Sequence, residues 1–147
     1  MSSPNSIPTS ALVLGCAGLV PFVALAAAAQ LGLSLPMIAN PRVALVLYGV
    51  AILSFLGGVR WGVAMGYDNQ EQARRDYVLA VVPALVGWAA ALLSAPADLW
   101  TLAAAFLLLG LLDYGMSCRT VAPEWYGNLR LALSAAVTLT LGVAALA

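Results

Sequence analysis

The stretch Ile52-Leu53-Ser54-Phe55-Leu56-Gly57-Gly58-Val59-Arg60-Trp61-Gly62 decides how this chain folds. Apolar residues run on from it in both directions, from Val43 to Gly66. About 20 such residues span the hydrocarbon of a bilayer as a helix, so the segment reads as membrane-spanning. Arg60 then places a permanent charge at membrane depth. An arginine at a helix centre costs roughly 2.5 to 3.5 kcal/mol on insertion scales, so it needs a partner or a purpose.

The whole chain shares this character. Of its 147 residues, 63% are hydrophobic and 8% charged, with a mean hydropathy of +0.99. Soluble domains carry about 25% charged residues, and so little polar surface could not cover a water-soluble fold. The six basic residues are all arginine and balance six acids, which argues against a basic nucleic-acid face. Histidine is absent. No His-ligated zinc or haem, histidine general base or Ser-His-Asp triad can therefore be built from this chain alone, and no cofactor is expected. Cys16 and Cys118 lie in or at the end of apolar segments without CxxC spacing, and read as small apolar packing residues.

Working outward from Arg60, five spans emerge at about 9–32, 43–66, 77–95, 98–118 and 126–147. The expectation is an all-α integral membrane bundle of five transmembrane helices, one domain over residues 1–147. Pro96 closes the third span, and the short Ser94-Ala95-Pro96-Ala97-Asp98 connection forces an antiparallel hairpin, with Asp98 placed to cap the fourth. Arg74, Arg75 and Arg119, with Arg130 just inside the next helix, share one side, against Arg42 alone on the other. By the positive-inside rule the N-terminus is cytoplasmic and the C-terminus outside. Tyr67, Tyr77, Trp125 and Tyr126 fall near the cytoplasmic interface and Trp100 near the outer one, as belt aromatics do.

Ser54, Gly58, Gly62 and Gly66 repeat every four residues and form a smooth ridge on the second span, suited to a close helix contact or a homodimer seam. Arg60 points roughly 200° away from Gly58 and lies about 10 Å inside the cytoplasmic end, within snorkelling reach. Asp113 sits in the same leaflet at similar depth, and opposite charges there are expected to pair. An Arg60–Asp113 contact is therefore predicted, with Glu124 and Arg130 available to extend the cluster. Ser117, Cys118 and Thr120 lie near Asp113 with no histidine or lysine to activate them.

The run from Tyr48 to Gly62 resembles the signature of an uncharacterised small polytopic membrane family. That family includes bacterial inner-membrane proteins and mitochondrial transmembrane protein 69. Gly18-Leu19-Val20-Pro21-Phe22, Pro83 through Trp88, Asp113, Pro123-Glu124-Trp125-Tyr126 and Leu129-Arg130 also resemble it, so the likeness covers most of the chain. The resemblance implies a membrane protein without an assigned activity and supplies no catalytic residue. The first residues, Met1 to Pro8, hold no basic group, unlike a secretory signal or mitochondrial presequence. On that basis the first apolar run is expected to remain as a helix, and the bacterial inner membrane is favoured over the mitochondrial one.

The function expected is that of a non-enzymatic accessory or assembly subunit of a membrane complex. Its partners are the lipid bilayer and another membrane protein or a second copy of itself. The alternatives are a small proton-coupled carrier or channel using Arg60 and Asp113, or binding of an anionic lipid or quinone head group by Arg60, Arg130 and Trp125.

Overall fold

The computed structural model describes residues 6–33, 35–118 and 123–146, the side chains of residues 117 and 118 excepted. They form α1 (Thr9–Leu31), α2 (Pro41–Ala64), α3 (Gln70–Ala91), α4 (Ala97–Cys118) and α5 (Glu124–Ala145). Arg119 and Thr120, used above in the charge bias and the nucleophile search, lie outside the described residues.

Local chemistry sets the boundaries. Asn40 starts α2 by accepting from the backbone N–H of Arg42 at 3.0 Å and Val43 at 3.2 Å, with Pro41 at the first helical position. Gly32 ends α1 in the left-handed region at φ 62°, where a residue with a Cβ is strained, and Leu33 N–H closes back on the Ala28 carbonyl at 2.9 Å.

Four helices are long and apolar enough to cross a membrane: Thr9–Leu31, Pro41–Ala64, Ala97–Met116 and Glu124–Ala145. The chain is a membrane protein on that ground. α3 differs from the expected span at 77–95. It begins earlier because Asn69 caps it, accepting from Glu71 and Gln72 N–H at 2.9 and 3.2 Å. Its first turns then carry Glu71, Arg74, Arg75 and Asp76. The apolar part left, residues 77–91, is about 22 Å of helix against a hydrocarbon core of about 30 Å. Residues 92–96 continue as a turn.

The helices form a closed ring. Each packs against its neighbours in chain order, α5 returns to α1, and α2 meets α4 across the middle. At one end Arg42, opening α2, grips Asp98 in the first turn of α4 with two 2.7 Å bonds, Nη1 to Oδ2 and Nη2 to Oδ1. Gln30 of α1 also donates there to the Val143 carbonyl of α5 at 2.7 Å. The other end gathers the last turns of α2 and α4 and the first turn of α5. Between the two ends lies a core of Phe22, Leu45, Leu53, Leu102, Phe106 and Leu141. Phe22 meets Phe106 edge-on at 5.6 Å and Tyr48 at 4.8 Å.

Lipid tails are as apolar as leucine, so close packing rather than expulsion from water holds such helices together. Two glycines allow it. A Cβ on Gly57 would strike the Ala80 carbonyl oxygen of α3, and one on Gly110 would stand 2.5 Å from Ser134 Cβ of α5.

Among the described residues the α2 ridge makes no close intramolecular helix contact, which leaves the seam between chains as the remaining alternative. Gly58 and Gly62 have nothing within 4 Å of a Cβ position, and both are exposed with Gly66, while Ser54 is half-buried and returns its hydroxyl to the Val50 carbonyl at 2.8 Å. The intramolecular contact runs instead along Gly49, Leu53, Gly57, Arg60 and Ala64. Cys16 is exposed on α1 rather than packed inside, and Cys118 lies among the undescribed side chains.

Candidate functional site: a buried charge cluster

Helix side chains lean toward the N-terminus, so a long side chain covers the turn before its own Cα. In this protein Arg60, Asp113 and Arg130 each follow a glycine by three residues: Gly57, Gly110 and Gly127. Gly57 and Gly110 leave room at that turn for a neighbouring helix to come close. The result is a buried cluster. Arg60 is 6% exposed, Asp113 4% and Arg130 8%.

Within it, Arg130 Nε donates to Asp113 Oδ2 at 2.9 Å, joining α5 to α4. The acid's ion-pair partner is thus Arg130, not Arg60 as the sequence suggested. The cause is proximity: α4 and α5 pack very closely where Gly110 meets Ser134, whereas α2 meets α4 only across the ring. Arg60 remains within electrostatic reach of Asp113. Its Nη2 donates to Met116 Sδ at 2.8 Å, a weak acceptor for a full charge. Arg60 Nε, Arg130 Nη2 and Ser134 Oγ are buried without a partner among the described residues. Tyr126 reaches Arg130 with its hydroxyl. Glu124 is exposed in the first turn of α5, outside the buried set.

Sequence reading had no signal for Met116, Ser134 or the Arg42–Asp98 clasp. Ser134 looks like any small residue in a span, and the clasp joins residues 56 apart. It also misjudged a shared site for Arg60, Arg130 and Trp125. Arg60 lines a groove of about 510 Å³ between α2, α3 and α4. Arg130, Ser134, Trp125 and Tyr126 line a separate one of about 360 Å³ that also involves α1. Among the described residues no three His, Cys, Asp or Glu side chains converge as metal ligands.

At the cluster's outer edge Tyr67, between α2 and α3, donates to Asp76 Oδ2 at 2.8 Å. Burial, then the Asp76 carboxylate, pushes its phenol above the ordinary value near 10, with nearby Arg60 opposing. Trp61 and Tyr77 pack at 4.7 Å beside it and tie α2 to α3.

Comparison with known proteins gives kinship without chemistry. A family model described as "Protein of unknown function (DUF3429)" matches residues 7–146. The chain is 38% identical to a protein named Transmembrane protein 69 from Xenopus tropicalis, over 91% of this chain and 53% of that protein. It is 36% identical to the Mus musculus protein of the same name, over 59% of this chain and 35% of the other. The chain thus spans about half or less of the curated relatives it matches. No solved structure matches it.

Proposed function

We propose, from the premise that this chain belongs to the DUF3429 family, that it is a non-catalytic accessory subunit of a membrane complex. In this reading all five helices span the cytoplasmic (inner) membrane of a bacterium, α3 with its charged first turns in the cytoplasm. The observation that carries the proposal is where the cluster's charges go: three charged side chains, each less than a tenth exposed, lie between helices, and Arg130 of α5 pairs with Asp113 of α4. Buried ionic contacts of this kind can select one packing among several. A proton carrier needs its acid reachable by water, whereas Asp113 is 4% exposed and already paired. The outward Gly58 and Gly62 face of α2 would receive a helix of the partner, since small residues let backbones approach. The arginine bias, with Arg74 and Arg75 exposed beside α3, supports a cytoplasmic N-terminus.

The test is co-purification of the tagged full chain in mild detergent from its native membrane. A stoichiometric membrane partner, lost in a Gly58→Leu/Gly62→Leu variant that still folds, is the expected result. Recovery of the chain alone, or a partner retained by that variant, would overturn the reading.

A further inference from the structure

We propose that the groove between α2, α3 and α4 binds one acyl chain of an anionic membrane lipid, whose acidic head group pairs with Arg60. This goes beyond the accessory role and stands whether or not that role is correct.

The groove's volume of about 510 Å³ is in the range of small-molecule sites. Its walls are apolar, and among the described residues Arg60 is the one charged residue that lines it. On α4 the lining runs from Trp100, in the first turn, to Leu112, about 18 Å of helix. Arg60 stands toward the Leu112 end, about 10 Å inside the end of the bundle where α2 and α4 finish, close enough for its long side chain and a head group drawn in from that interface to meet. Trp100, Leu108 and Leu112 are themselves exposed, so the groove opens sideways to the lipid and a chain can enter without passing through water.

Charge supplies the second, independent observation. The buried cluster holds two guanidiniums and one carboxylate, and that carboxylate's bond goes to Arg130. Among the described residues Arg60 has a thioether for one N–H and nothing for its Nε, although it is only 6% exposed. A buried donor left unsatisfied is costly, and more so when charged. A phosphate or carboxylate oxygen at the groove's end would supply the missing acceptor and the missing charge together. The neighbouring groove beside α1 also holds partnerless donors, Arg130 Nη2 and Ser134 Oγ, but its arginine already has the Asp113 carboxylate as counter-charge.

Delipidated full-length protein, titrated in detergent with phosphatidylglycerol and followed by native mass spectrometry, tests this. The expected result is one tightly retained phosphatidylglycerol, at least tenfold preferred over phosphatidylcholine of the same chains. Arg60→Gln should abolish the preference and Arg60→Lys should keep most of it. Ala104→Phe, at an exposed groove-lining position, should block the chain while leaving Arg60 in place. Equal retention of the two lipids would overturn the proposal, as would undiminished binding in folded Arg60→Gln or Ala104→Phe protein. Displacement of the lipid by millimolar inorganic phosphate alone would do the same, because it would make the acyl groove irrelevant.

Discussion

At the scale of single residues, position along the bundle was legible in the sequence and direction around it was not. Counting along helices put Arg60 and Asp113 toward the same end, and both are buried, with Arg60 reaching Met116 one turn beyond Asp113. Which arginine would take the carboxylate depends on how α2, α4 and α5 are arranged around the ring, and one sequence holds no such angle. The consequence is measurable. Arg130→Met should destabilise the protein by about 3 kcal/mol, because it strands a buried carboxylate, and adding Asp113→Asn should restore most of that. The same cycle with Arg60 in place of Arg130 should show a clearly smaller coupling, read by reversible unfolding in mixed micelles. Tyr67 gives a pH effect of definite sign. Its phenol is raised in the folded state, so its contribution is complete below about pH 10 and fades as pH climbs through the higher folded value. Alkaline unfolding should accordingly be less steep in Tyr67→Phe than in the parent.

At the scale of elements, the α2 pattern carried two adjacent glycines, Gly57 and Gly58, and periodicity alone did not tell which one packs inside the chain. The four-residue repeat through Gly58 is the more regular, yet Gly57 meets α3 while Gly58 faces outward. A helix turns 3.6 residues at a time, so one position in sequence swings a face by about 100°. Alanine at each position separates the two roles. Gly57→Ala should cost about 1–3 kcal/mol through overpacking against the Ala80 backbone. Gly58→Ala should be neutral or stabilising by up to about 1 kcal/mol, since alanine is the better helix former. Thermal unfolding of the two purified variants decides it. The early start of α3 was legible in principle, because Asn69 followed by Glu71 is a helix opening, but apolarity was the signal being followed and it begins only at Tyr77.

At the scale of the whole molecule, closure of the ring by α1 against α5 leaves no helix peripheral. Removing α5 should therefore expose both the α1 face and Asp113, and the truncated chain should be cleared from the membrane rather than accumulate. Orientation belongs at this scale too: a periplasmic reporter fused after Ala147 should be active and a cytoplasmic one silent, the reverse excluding the proposed topology. Synthesis order adds a time dimension to the charge cluster. Asp113 is made 17 residues before Arg130, which at about 5–20 residues per second leaves it without its partner for about one to three seconds. Arg60 has already been made by then and lies within electrostatic reach. Arg60, which has no carboxylate bonded to it among the described residues, is thus also the counter-charge present while α4 waits for α5, and Arg60→Gln should lower the yield of inserted protein in cells more than it lowers the stability of protein already assembled.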